Sequence, residues 1–177
     1  MKLKKLFTAK YSIYCIFLKL CYNCKMIATF IGHRKVFINS KLLKSINETV
    51  QMLIDNGYNI FLFGSRSQFN DVCLEIVNNF KKDYKNIKTV YVRAEYNYID
   101  ESYKNYLTSF YNETYYPLEI ENAGKSCYVK RNYIMIDKSN CCIFYYDCNY
   151  QKEKSGTKIA YDYAIKKQKC IINVFKN

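Results

Sequence analysis

Histidine and proline each occur once in this chain and glycine only five times, and no apolar run is long enough to cross a bilayer. Each scarcity excludes something. One His and a single Cys21-x-x-Cys24 pair, with no second pair at finger-like spacing, do not make a zinc site, so no metal is expected. The apolar stretch Tyr11 to Leu18 is stopped by Lys19, far short of the ~20 residues of a spanning helix, and it lacks the small-residue cleavage site of a secretory signal. No membrane partner is expected. Nine cysteines, an odd number in a chain of 177 residues, do not read as a secreted disulfide scaffold and favour a reduced, cytoplasmic compartment.

The length fits one domain, and a composition half apolar and a quarter charged excludes disorder and collagen-like repeats. Residues 1–25 stand apart, with six Lys and no acid, and read as an N-terminal extension ahead of a domain spanning 26–177; a membrane-surface helix is the alternative. The net charge of +13 comes mostly from Lys, since only four of 28 basic residues are Arg, and it forms no long basic stripe. A diffuse Lys excess gives salt-sensitive contact with polyanions, whereas specific nucleic-acid binding needs clustering on one face. A small ligand therefore ranks above nucleic acid as partner, and self-association is left open.

From Met26 onward, strands and helices alternate. Ile27 to Ile31, Asn59 to Phe63, Ile87 to Val92, Cys141 to Tyr146 and Cys170 to Phe175 are short continuous apolar runs, as strands buried on both faces read. Between them, helical spacing places Leu42, Ile46, Val50 and Leu53 on one face of a helix from Ser40 to Asn56-Gly57, and Phe69, Cys73, Val77 and Phe80 on the next, with Ser65 and Gln68 at capping-box spacing. Helices are also expected over 125–139 and 155–167. Residues 94–124 break the rhythm with seven Tyr, six acids and one Lys, and read as a lid or insertion. The pattern predicts an α/β fold, a Rossmann-like three-layer sandwich with a doubly wound, mainly parallel sheet of order 3-2-1-4-5. Its crevice would lie at the carboxyl ends of the first and fourth strands.

The rare residues gather where that crevice would be. Gly32, His33 and Arg34 follow the first strand, Gly64, Ser65 and Arg66 the second, Arg93 the third, and Ser155, Gly156 and Thr157 open the helix after the fourth. Glycine permits close backbone approach, a helix N-terminus offers unpaired N–H groups, and Arg supplies a planar anion partner. Ser155-Gly156-Thr157 is thus a phosphate-cradle candidate, with an ordinary helix cap as the alternative. Arg34 and Arg131 are read as phosphate or carboxylate partners and His33 as a binding residue. Cys141 and Cys142 are read as packing.

Thr29 to Arg34, Phe61 to Gly64 with Gln68-Phe69, Arg131-Asn132 with Met135, and Ser155 to Thr157 with Tyr163-Ala164 resemble, in order and spacing, the small SLOG proteins of the YpsA-like type. The likeness runs from Ile27 to Phe175. It implies a Rossmann-like domain of the group that includes the LOG phosphoribohydrolases and the DprA/Smf proteins, binding a nucleotide or nucleotide-derived ligand as a sensor or regulatory module without a further cofactor. Carried over by position, the resemblance implies that Gly32, His33, Arg34, Gly64, Phe69, Arg131, Asn132, Ser155, Gly156 and Thr157 line the ligand site; Ser65, at the start of the second helix, and Asn70 are read as part of the same site. Two departures bear on chemistry. Asn70 stands where the family often has Asp, and Ala160 stands where LOG enzymes carry Glu. A nucleotide N-glycosidic hydrolase, with Asp71 or Asp147 as carboxylate, is the alternative, and a DprA-like single-strand binder a further one; catalysis is left open.

Overall fold

The computed structural model describes residues 25–149 and 155–175. The extension with its Cys21 and Cys24 lies outside the described residues, as does most of the loop before Ser155.

Six strands form one sheet: β1 (Met26–Gly32), β2 (Tyr58–Phe63), β3 (Lys88–Val92), β4 (Glu113–Tyr115), β5 (Cys141–Tyr145) and β6 (Cys170–Asn173). Their order is β4-β3-β2-β1-β5-β6. Every neighbouring pair is parallel. The expected winding is present, with one strand added at the edge. That strand comes from residues 94–124, which supply a helix and β4 and so continue the strand–helix alternation. Its three residues, only partly buried, carry too little apolar pattern to be seen in advance. Asn112 fixes the addition, its Oδ1 accepting from the Thr89 N–H at 2.9 Å.

The helices are α1 (Ser40–Asp55), α2 (Gln68–Phe80), α3 (Glu101–Thr108), α4 (Cys127–Lys138) and α5 (Gly156–Lys166), with two short 3₁₀ turns before α4. Asn39 caps α1, its Oδ1 accepting from the Leu42 N–H at 2.8 Å, and the helix stops at Gly57, whose φ of 87° suits a residue without Cβ. α2 is capped by Ser67, which accepts from the Asn70 N–H at 3.3 Å, and not by the Ser65–Gln68 box that the spacing suggests. Gln68 is otherwise engaged. Its N–H donates to the Arg34 carbonyl and its Oε1 accepts from the Val36 N–H, both at 3.1 Å, so the side chain is drawn toward the segment after β1.

Two faces of apolar packing hold the layers together. On one, Phe30, Phe61 and Phe63 meet Leu42, Ile46 and Val50 of α1, Phe69, Cys73 and Val77 of α2, and Leu107 of α3. On the other, Ile31, Cys142 and Phe144 meet Ile136 of α4 and Ala160 and Ala164 of α5, while Met135 of α4 packs on Leu62, Val90 and Val92. Each such fully buried large side chain contributes about 1.5–3 kcal/mol. β1 is central because it is covered from both sides, and its Thr29 satisfies its hydroxyl on the Leu62 carbonyl at 3.3 Å.

Two strand-ending glycines govern how closely helices approach. A Cβ on Gly32 would fall 2.7 Å from Cγ of Phe69, and one on Gly64 would fall 2.5 Å from Sδ of Met135 and 2.7 Å from Cζ of Arg131. Gly32→Ala therefore forces the Phe69 ring from its seat. It is expected to lower unfolding free energy by about 1–3 kcal/mol, read as a reduced urea midpoint at unchanged m-value. An unchanged midpoint would show that the ring has room.

Candidate functional site

β1 and β5 are adjacent and parallel, with Gly32 in register with Tyr145, and the chain leaves them toward opposite faces of the sheet. A ligand crevice of a doubly wound sheet lies at this divergence. His33 bridges it. Its backbone N–H donates to the Tyr145 carbonyl at 3.3 Å, and its Nε2 accepts from the Asp147 N–H at 3.2 Å. An imidazole that accepts at Nε2 is neutral, with its proton on Nδ1. Burial pushes His33 below its ordinary pKa, partly offset by the neighbouring Asp147. Tyr145 and Tyr146 flank the ring, with centroids 6.3 and 6.0 Å away. Neither tyrosine was among the expected ligand-site residues, and Asp147, named only as a carboxylate for glycosidic hydrolysis, was not expected beside His33, because the register that brings them together has no local sequence signal.

Gly156 opens α5 beyond the same strand end. Ser155 is the helix cap, its Oγ accepting from the Lys158 N–H at 3.3 Å. Ser155 and Thr157 are buried, whereas Gly156 is exposed and a Cβ there would meet none of the described residues within 4 Å. The turn between β2 and α2 sits one strand over. Asn70 is buried at its base, with Nδ2 donating to Oγ of Ser65 at 2.5 Å and of Ser67 at 3.1 Å. Its Oδ1 is buried with no hydrogen-bond partner among the described residues.

The other expected residues fall differently. Phe69 is fully buried in the core and occupies the space left by Gly32. Arg131, read from sequence as a partner for an anion, is 2% exposed and lies across Gly64. Its Nη1 donates to the Val92 carbonyl at 2.9 Å and its Nε to Oδ1 of Asn132 at 3.0 Å. Burial draws its pKa down, but a guanidinium stays charged in a protein. Asn132 thus supports Arg131. Arg34 is exposed. Arg66 donates to the Tyr106 hydroxyl and lies 5.2 Å from that ring's centroid, and Arg93 donates to the Tyr96 carbonyl at 3.0 Å. Of the three glycines expected at the site, Gly32 and Gly64 make room for the protein's own side chains, whereas a Cβ on Gly156 would meet none of the described residues.

Two grooves flank α2, one of about 620 Å³ against α1 and one of about 490 Å³ against α3. Neither is lined by His33, Ser155 or Gly156. Asp71, one carboxylate considered for glycosidic chemistry, lines the groove against α3, while Asp147 sits beside His33. Among the described residues, no group of three His, Cys, Asp or Glu side chains is placed to hold a metal, and no helix is long and apolar enough to cross a membrane.

A six-stranded parallel sheet wound outward from β1 and β5, with helices on both faces, defines the Rossmann-like class of α/β proteins. A family model described as the YspA SLOG family matches residues 32–175, and the chain belongs to that family. Among solved structures, the molybdenum cofactor carrier protein of Chlamydomonas reinhardtii matches with a TM-score of 0.51 and 17% identity, over 84% of this chain and 75% of that one. Two further structures of the carrier protein from that alga match at 15% identity over the same shares, with TM-scores of 0.47 and 0.48. No protein of curated function matches the chain significantly.

The state of His33 has a measurable consequence. The unfolded chain protonates this histidine near pH 6.5, whereas the folded protein resists protonation, so the unfolded state binds more protons as pH falls through and below that value. His33 therefore supports stability above its unfolded pKa, and that support is lost on acidification. Between pH 7 and 5 the wild type is expected to lose more unfolding free energy than His33→Gln, measured by urea titration at each pH. Parallel pH profiles would overturn the assignment.

Proposed function

We propose that the protein binds a nucleotide or nucleotide-derived ligand at the carboxyl edge of its sheet, as a sensor or regulatory module. The observation that carries this reading is the junction of β1 and β5, where the buried His33 meets Asp147 and where Gly156, at the N-terminus of α5, has none of the described residues within 4 Å of where a Cβ would stand. The first-turn N–H groups of a helix attract phosphate. Ser155 and Thr157 add hydroxyls there, and Ser65, with the buried Asn70 behind it, continues the polar surface one strand away. Arg34 is the exposed cation that follows β1. Arg131 contributes from beneath, fixing the end of β3 through the Val92 carbonyl instead of meeting a ligand directly.

Binding is favoured over glycosidic hydrolysis by one particular residue. Ala160, at the position where LOG enzymes carry Glu, is 1% exposed and packs beside Phe144, so that position supplies no carboxylate. The Chlamydomonas neighbour is named a cofactor carrier protein, which is in line with ligand binding. The cytoplasmic setting inferred from cysteine usage is part of the same proposal.

Thermal unfolding with ADP-ribose, NAD and adenosine mono-, di- and triphosphate tests it. A ligand present at 100 times its Kd stabilises by about 2.7 kcal/mol, or roughly 5–10 °C in Tm for a domain of this size. Gly156→Asp is expected to leave the ligand-free Tm nearly unchanged, since a Cβ there meets none of the described residues, while abolishing the ligand-induced rise by repelling phosphate. A Tm unmoved by every compound, or a rise that survives Gly156→Asp, would refute the site. Release of free base from any of them would move the protein to the hydrolase class, and single-stranded DNA binding that persists in Gly156→Asp would place that activity elsewhere.

A further inference from the structure

Away from the carboxyl edge, the sheet brings two thiols together. Cys141 opens β5 and Cys170 opens β6, and the two residues are in register across the parallel pair. Neighbouring strands lie about 4.8 Å apart, within the range of roughly 4.4–6.8 Å between Cα atoms that a disulfide spans. Both side chains turn to the same layer. Cys141 belongs to the core built with α1 and α2 and Cys170 packs against that core, whereas Cys142, one residue on, packs on the opposite face with α4 and α5. The contact is direct, with the Cys141 S–H donating to the sulfur of Cys170.

The two partners differ in state and in access. Cys141 is fully buried, and its hydrogen bond to Cys170, together with burial, keeps it a thiol. Cys170 is only partly buried, on a strand with no further strand beyond it among the described residues. The hydrogen bond it receives favours its ionised form and draws its pKa below the ordinary thiol range, against the opposing effect of burial. Cys73 and Cys142 are instead pushed up by burial. A thiolate at the sheet edge therefore touches a second thiol that has kept its proton, which is how an attacking sulfur and a resolving one are arranged.

We propose that Cys170 is a site of oxidation by hydroperoxide and that Cys141 resolves the product as an intramolecular disulfide. The Cys170 thiolate attacks one oxygen of hydrogen peroxide: an S–O bond forms, the O–O bond breaks, and the departing hydroxide takes a proton from solvent and leaves as water. The sulfur loses two electrons and the peroxide gains them. The sulfur of Cys141, giving up its proton, then attacks that of Cys170; the S–S bond forms as the S–O bond breaks, and the released hydroxide leaves with that proton as a second water. In the oxidised form the edge strand β6 is tied covalently to β5. The site is independent of the nucleotide reading, because both cysteines stand at the amino ends of their strands, away from the carboxyl edge that carries His33.

Mass-spectrometric mapping of the full chain, with all nine cysteines, after treatment with equimolar hydrogen peroxide at neutral pH tests the proposal. The expected product is one peptide pair joined through Cys141 and Cys170, formed before the exposed Cys148 is oxidised and reversed by dithiothreitol. Cys141→Ala removes the resolving thiol and is expected to leave Cys170 as the sulfenic acid, raising its labelling by dimedone about tenfold or more over wild type. In Cys170→Ala the buried Cys141 is expected to stay reduced. The wild-type map needs neither variant, so it decides the question even where a substitution loosens the core. No Cys141–Cys170 peptide, Cys170 joined to a different cysteine, Cys148 oxidised first, dimedone labelling unchanged by Cys141→Ala, or Cys141 oxidised equally in Cys170→Ala would each overturn the proposal.

Discussion

The closeness of helices to the carboxyl ends of β1 and β2 is the constraint on which the remaining architecture depends. Gly32 lacks the atom that would block Phe69, so the first turn of α2 descends against β1 from one face. Gly64 lacks the atom that would block Arg131 and Met135, so α4 descends against β2 from the other. Side chains from opposite layers thereby occupy neighbouring strand ends, and the edge of the sheet is set in position before any ligand is considered. Packed interiors transmit such fixed distances because they contain few voids in which an error of half an ångström could be absorbed.

Arg131 shows how a charged side chain can serve that constraint. A guanidinium removed from water is costly unless its donors are met, and here the Val92 carbonyl and Asn132 meet two of its nitrogens. Because Val92 ends β3 while Gly64 follows β2, one side chain joins α4 to two strand ends. Arg131 therefore ties the end of β3 to the strand end at Gly64, and the smaller polar groups His33, Ser65, Asn70 and Ser155 are met by hydrogen bonds of their own near the other strand ends.

Around α5 the helix's first turn carries no carboxylate, Ser155 is buried as its cap and Gly156 is exposed. The groove between α2 and α3 is lined by both signs, Asp71 and Glu75 beside Arg66 and Lys82. The net charge of the whole chain describes neither.

Much of the fold was legible in the sequence because it rests on local physics. Continuous apolar runs mark strands covered on both faces, 3.6-residue spacing marks α1 and α2, and Ser155 caps α5 through a bond within its own turn. α3 and β4 were hidden, since one short helix buries mainly Leu107 and the strand has three residues, leaving no period to read. The candidate site was legible as a set of rare residues at strand ends, but not as a geometry. His33 meets Asp147 across 114 positions of chain, and only the parallel register of β1 with β5 makes them neighbours. Likewise, sequence marked Gly32 and Gly64 as places of close approach, and tertiary packing decided that Phe69 and Arg131 fill them. Periodicity and capping are written within a few residues, and the sequence by itself determined those. The occupant of a gap depends on how whole layers dock, so the assembled structure decided it.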